Sequence, residues 1–478
     1  MHRVRTRQIH FIWVAVPGLA LAAPAALADA SWTDLQVPHA DWALSVGASH
    51  TDDATMLPNG PSDTIATAGV SGSLYRDTGR LRADIDGSAY LEDYTDHTFS
   101  NHVLGNLRTL DSYAFVPGRL SWMLQDTFGQ VTLNPQLPAI PTNWISANIL
   151  STGPEAYLQL GNDFGISLGG RYGRADFQSN PNAQVDDQSF GGTLGVVKNL
   201  APKTTVSLNG SVTRIEYQET GQPAYDEFDY FGRFNTESAR AGVTLDAGYT
   251  QVRQSGSAAN DPLLRLTAFR RLTPSWSVNL TMGSEFQNAA AATQAALSGT
   301  QVVNGQVVPI PVPGSTPGFG NGVANVVLSD NVFRSEHAGA SLDFVRPRTT
   351  IDLHASVAQQ RYEFGASALD RDLTDVGVGF TRRLRPSLTF HASASQERQK
   401  PSATEPGFRY TYADAGFDWR AGSWLGVVLN FHHENRPADS SFAGYVENVV
   451  YLGLSYGPPK RNLTAPLPVQ SHSTSPTT

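Results

Sequence analysis

The sequence predicts an all-β fold, a single transmembrane antiparallel β-barrel of about 18–20 strands with short periplasmic turns and longer extracellular loops. Three observations lead there. Between Trp42 and Tyr456 apolar and polar residues alternate in runs of roughly twelve, about twice the length of an ordinary globular strand. Tight turns and longer polar loops alternate between these runs with few exceptions, and no helices are interleaved with the strands. Charged residues are 16% of the chain, against about 25% in soluble domains, while aromatics reach 10%. A wall facing lipid outside and water inside needs this composition and this period of two.

The first element is a secretory signal peptide, residues 1–28. Arg3, Arg5 and Arg7 precede an apolar stretch from Phe11 to Leu27, and small residues follow at Ala26, Ala28 and Ala30. Pro17 and Pro24 argue against a membrane-spanning helix there. Its removal takes away three arginines and no acid, deepening the formal net charge from −9 to −12. That balance does not support a basic nucleic-acid surface. The chain has no cysteine, which excludes disulfides, thiol chemistry and a lipoprotein acyl anchor. No later segment is long and apolar enough for a spanning helix, so crossing a bilayer requires a closed sheet.

Residues 29–40 read as a short periplasmic lead and residues 41–456 as the barrel. The run Trp276 to Gly283 shows the pattern: Trp276, Val278, Leu280 and Met282 share one face, and Ser277, Asn279, Thr281 and Gly283 the other. Tight turns are expected around Asp77-Thr78-Gly79, Val116-Pro117-Gly118, Gly161-Asn162-Asp163, Ala201-Pro202, Glu237-Ser238, Thr273-Pro274, Arg346-Pro347, Arg385-Pro386 and Ala421-Gly422. Longer loops are expected at 51–63, 92–100, 131–142, 179–186, 219–225, 255–260, 288–329, 364–370, 400–407 and 436–443. Both chain ends then fall on the short-turn side, as in bacterial outer-membrane barrels. Trp42, Trp122, Trp276, Trp419, Trp424 and Tyr456 lie near strand ends and are candidates for interfacial girdles.

Loop 288–329 differs from the rest. Ala289 to Leu297 predicts a short helix, and Asn304-Gly305 between β-branched residues predicts a hairpin over Val302–Val308. A Pro/Gly stretch then runs to Asn321. Two placements are open: a plug or constriction within the barrel, or disorder above it. Residues 457–478 form a Ser/Thr/Pro tail that cannot bury a core.

The residues predicted to line a pore are Arg82, Asp84, Asp86, Arg171, Asp246, Arg265, Asp343, Asp352, His354 and Asp418, because each alternates with apolar neighbours. Their mixed signs predict cross-pairing and weak filtering by charge. No catalytic or metal constellation stands out: there is no Walker loop, HExxH or GxSxG, and no cofactor is expected. His432-His433-Glu434 is the densest ligand-like group. Strand neighbours point to opposite faces, so the two histidines cannot share an ion, and the group reads as an extracellular strand end.

Two sets of segments carry a resemblance. One is Leu124-Gln125-Asp126-Thr127-Phe128-Gly129-Gln130 with Asn134-Pro135 and Asn148 through Pro154; the other is Gly248-Tyr249-Thr250 with Arg270 through Ser275. They resemble a family of outer-membrane β-barrels associated with exopolysaccharide gene clusters and the PEP-CTERM/exosortase sorting system of Gram-negative bacteria. The resemblance covers most of the mature chain and implies a location and a context, export or display of surface polysaccharide. It supplies no catalytic or binding residues.

The leading reading is therefore a porin-like outer-membrane channel passing polysaccharide or small solutes, in contact with membrane lipids and the barrel assembly machinery. A structural or docking barrel of a secretion system without transport is the alternative, and a membrane-embedded enzyme the third. A TonB-type transporter would carry an N-terminal plug domain, for which the segment before Trp42 is too short.

Overall fold

A computed structural model describes residues 39–458 except 135–136, 179–184, 219–221, 299, 304–305, 310–322, 325–326, 401–406 and 440–441. The signal-peptide reading of 1–28, most of the 29–40 segment, nearly all of the tail and the Pro/Gly stretch lie outside the described residues.

The chain opens with β1 (His39–Thr51), β2 (Asp63–Asp77), β3 (Leu81–Tyr94), β4 (His102–Val116) and β5 (Leu120–Thr132). It continues through β6 (Trp144–Leu160), β7 (Phe164–Phe177), β8 (Asp187–Ala201) and β9 (Thr204–Tyr217). Then come β10 (Tyr225–Glu237), β11 (Ala241–Gln254), β12 (Ser257–Arg271) and β13 (Trp276–Gln287). One helix, α1 (Ala289–Ser298), and three small strands, β14 (Thr300–Val303), β15 (Gln306–Pro309) and β16 (Val323–Ala324), occupy the long connection. The wall resumes with β17 (Phe333–Arg346), β18 (Thr349–Tyr362), β19 (Arg371–Arg385) and β20 (Leu388–Gln399). It ends with β21 (Phe408–Arg420), β22 (Leu425–Arg436) and β23 (Tyr445–Tyr456).

Twenty strands, β1–β13 and β17–β23, each pair antiparallel with the next, and β23 returns to β1 through Leu44↔Tyr456 to Thr51↔Val449. The sheet is thus closed, an all-β barrel of the outer-membrane type with no free edge. Wall strands run from 12 to 17 residues, long enough to cross a hydrocarbon layer at a tilt. At about 4.8 Å per strand and a tilt near 40°, twenty strands enclose a backbone cylinder roughly 40 Å across.

Alternation assigns the faces. Leu44 and Val46 on β1 are 52% and 55% exposed, and pair with Val70 and Ala68 on β2. The same outward parity runs on to Ala89 and Leu91 on β3, placing Asp84 and Asp86 on the inner face. At the short-turn end, the rings of Trp42, Trp424 and Tyr456 meet at 5.7–6.1 Å, an aromatic cluster that straddles the closing seam. The tyrosine-ended run Tyr451–Tyr456, internal to the sequence, is the strand that closes the barrel.

Three boundaries differ from the sequence reading. The barrel begins at His39, inside the segment read as a periplasmic lead. The loop expected at 255–260 is a two-residue hairpin: Ser255 and Gly256 take φ of 48° and 84°, the left-handed pair that fits the strand twist. Asn260 and Asp261 are therefore strand residues despite their polarity, facing Gln251 and Thr250. The long connection extends from 288 to 332.

The outer face of β4 and β5 carries a polar interruption. Thr109 and Asp111 on β4 and Asp126 on β5 share the parity of exposed Tyr113, Trp122 and Leu124. An Asp111 carboxylate oxygen accepts the Asp84 backbone N–H at 3.2 Å, and Thr109 Oγ1 accepts that of Asp126. Asp126 Oδ1, by contrast, is buried with no hydrogen-bond partner. A carboxyl group there costs free energy that an alkyl group does not. Asp126→Leu is expected to stabilise the barrel by about 1–2 kcal/mol, read as a higher urea midpoint in lipid vesicles; a lower midpoint contradicts this account.

Candidate pore and its constriction

The inner face of β5–β7 departs from the polar rule in its extracellular half. Val131, Ile145, Ala147, Ile149, Ala175 and Phe177 point inward and are all at most 6% exposed. They are dry because α1 lies against them: Ala290 belongs to the same cluster, and Leu297 packs on its border. A Cβ on Gly129 would sit 2.7 Å from Leu297 Cδ2, so the missing side chain makes room for the helix.

Asn288 sets the start of α1. Its Oδ1 accepts the Ala291 N–H at 2.8 Å, an N-cap bond, while its Nδ2 donates to Asp187 Oδ2 at 3.1 Å. The cap thereby ties the helix to the first residue of β8. Farther along, β16 pairs parallel with β5 at Gln130 and Val131, beyond the reach of β4. The connection leaves the wall at β13 and touches it again at β5, eight strands away in a ring of twenty. The helix predicted over Ala289–Leu297 thus forms, and of the two open placements its contacts are with the inner wall.

Other extracellular connections also fold inward. Met56 and Phe442 pack on Phe408, Tyr410 and Tyr445, and the Phe442 ring covers the Arg436 guanidinium at 4.0 Å. Asp53 shapes the β1–β2 loop by accepting the Leu57 N–H and the Thr55 hydroxyl at 3.2 and 3.3 Å. Burial pushes the Asp53 carboxyl above its ordinary value. Between these loops and the β5–β6 connection lies a vestibule of about 640 Å³. Leu57, Leu133, Pro138, Ile140, Leu328 and Phe442 line it, and no charged side chain does so among the described residues.

The charged residues singled out in the sequence all lie on the inner face and most are paired. Arg108, which sequence reading missed, bridges Asp86 at 2.7 Å and Asp84 at 3.6 Å. Arg82 sits in register between Asp77 and Ser112. Arg171 meets Glu155 at 2.6 Å. Asp246 and Arg265 are Cα partners and join one network: Arg233 forks onto Asp246 at 2.6 and 2.8 Å, and Arg265 reaches Glu285 at 2.5 Å and Asp229 at 3.8 Å.

Farther round the wall, on β18 and β19, Asp352 lies 3.5 Å from His354, which also meets Asp375 at 3.2 Å. Asp343 accepts from Asn279 Nδ2 at 2.6 Å, and Asp418 pairs with His391 at 3.1 Å. The partners missed in the sequence, Arg108, Glu155, Arg233, Asp229, Glu285 and Asp375, carry the same alternation signal. Only the strand register tells which of them meet.

No family model matches the chain, and no curated relative matches it. Among solved structures it is similar to the siderophore receptor PirA from Pseudomonas aeruginosa, at 10% identity and a TM-score of 0.42 over 88% of this chain and 80% of that one. It is also similar to OccAB3 from Acinetobacter baumannii, at 10% identity and a TM-score of 0.35 over 88% of this chain and 99% of that one. OpdK from Pseudomonas aeruginosa, solved with vanillate, gives 10% identity and a TM-score of 0.38 over the same shares. The closed register, rather than any of these likenesses, establishes the barrel.

Proposed function

We propose that this chain is an outer-membrane channel for small solutes, exported through cleavage of residues 1–28, with α1 as its resident constriction. One observation carries the reading: α1 is seated on a dry inward patch inside a wall too wide to be filled by it. A ten-residue helix is about 15 Å long and about 10 Å thick, so it narrows a cylinder roughly 40 Å across without closing it. Arg82, Asp84, Asp86, Arg171, Asp246, Arg265, Asp343, Asp352, His354 and Asp418 line the lumen in this reading. Because Asp84, Asp86, Arg171, Asp246 and Arg265 are paired with opposite charge, the pore discriminates weakly between cations and anions.

The resemblance to exopolysaccharide-associated barrels supports a surface-polysaccharide context. The vestibule beside the mouth is lined mainly by apolar side chains, which favours small solutes over a hydroxyl-rich polymer as the conducted species. Small solutes fit better. A docking barrel without transport would give no reason for a helix held against the inner wall by a cap and an apolar patch.

Planar-bilayer recording of the purified mature chain is expected to show openings whose unit conductance rises when residues 289–326 are replaced by a short Gly/Ser linker. Gly129→Phe should raise conductance in the same sense by displacing Leu297. Closed traces from both variants would refute the channel. In a salt gradient, Arg108→Ala leaves Asp84 and Asp86 without their shared partner and should move the reversal potential toward cation preference. An unchanged potential would remove those residues from the conducting path.

A further inference from the structure

On β22 the outward positions are Leu429 and Phe431, 45% and 42% exposed, while Asn430, His432, Glu434 and Arg436 face inward and are buried. His433 takes the outer face, with its Nδ1 2.8 Å from Asn448 Oδ1. The neighbouring strand then completes what a single strand could not: Glu434 and Glu447 are Cα partners. One ligand atom each from His432, Glu434 and Glu447 lies within 4.8 Å of the others.

Each of these side chains is held by one atom and leaves another open. His432 Nδ1 sits 2.8 Å from Asp414 Oδ1, Tyr445 donates its hydroxyl to Glu434 Oε1, and Thr51 Oγ1 donates to Glu447 Oε1 at 2.7 Å. His432 Nε2 faces Glu434 Oε2 at 3.7 Å. Thr51 occupies one Glu447 oxygen, and among the described residues none donates a hydrogen bond to the other, although the residue is only 6% exposed. Among the described residues no lysine or arginine nitrogen approaches either glutamate within 4.0 Å. Three carboxylates and one imidazole therefore share a buried inner-face position with an excess of negative charge.

We propose that His432, Glu434 and Glu447 form a binding site for a divalent first-row transition metal, with Zn²⁺ as its probe. His432 Nε2, Glu434 Oε2 and the free Glu447 oxygen are the ligands, and Asp414 is a positioning residue that fixes the imidazole tautomer. Three protein ligands leave a coordination position for water, and the imidazole favours such a metal over calcium or magnesium. The site stands beside the closing seam. There β23 and β1 share eight residue pairs, against thirteen between β1 and β2, and Thr51 of β1 already holds Glu447. A cation here joins β22 to β23 at the extracellular end of that seam, independently of any conduction through the lumen.

The test is calorimetric titration of the full mature chain, folded in detergent and stripped with chelator, with Zn²⁺, and Co²⁺ absorption as a second readout. The expected result is one ion per chain. His432→Ala and the isosteric Glu434→Gln/Glu447→Gln pair should each lose affinity by at least about tenfold, and Asp414→Asn by a similar factor. His433→Ala, on the opposite face, should bind as the native chain does. Heat-dependent gel mobility reports folding for every variant, and the glutamine pair decides the matter if His432→Ala does not fold. The proposal is overturned by the absence of saturable binding, by equal loss in His433→Ala, by undiminished binding in the glutamine pair, or by tighter binding of Ca²⁺ than of Zn²⁺.

Discussion

Backbone polarity in hydrocarbon is the constraint from which the rest follows. Each unpaired N–H or C=O inside a bilayer costs several kcal/mol, so a chain without spanning helices must close its sheet upon itself. Here closure is made by Leu44–Thr51 against Val449–Tyr456, strands separated by nearly the whole chain. Where the ladder is interrupted, side chains substitute: Asp111 takes the Asp84 amide on the outer face, where a carboxylate would otherwise be out of place.

Closure at twenty strands creates a second problem, an interior too wide for side chains to fill. The inner surface is settled in two ways. On β10–β13 charges are neutralised across strands, as with Arg233, Asp246 and Arg265. In the extracellular half of β5–β7 the inward positions are apolar, and the chain covers them with its own helix. The extracellular loops do the same on the other side, where Met56 and Phe442 cover the aromatic cluster of β21 and β23. The barrel is polar at mid-height and carries apolar patches near its mouth, under α1 and under Met56 and Phe442.

Reading strands singly sets the limit on what can be inferred about sites. Alternation around Val131, Ile145, Ala147 and Ile149 is visible in the sequence, where they alternate with Gln130, Ser146 and Asn148, but nothing local says that α1 covers the apolar face. Asp126 looks like any polar position until register shows it beside Trp122 and Leu124 on the outer wall. His432 and His433 were correctly separated by period alone. Glu447, which joins His432 and Glu434, comes from the adjacent strand, and no spacing within one strand reveals it.

The class of fold, the faces of nearly every strand, the helix at Ala289 and nine of the ten longer connections were determined by the sequence itself. A two-residue period and turn-forming residues are local properties, and they act without knowledge of the rest of the chain. Tertiary structure alone decided that Ser255-Gly256 is a tight hairpin, that twenty strands complete the ring, and that α1 rests on β5–β7. It also decided which inner-face charges meet. Each of these depends on register and closure between residues far apart in the chain, where a shift of one position would exchange the two faces.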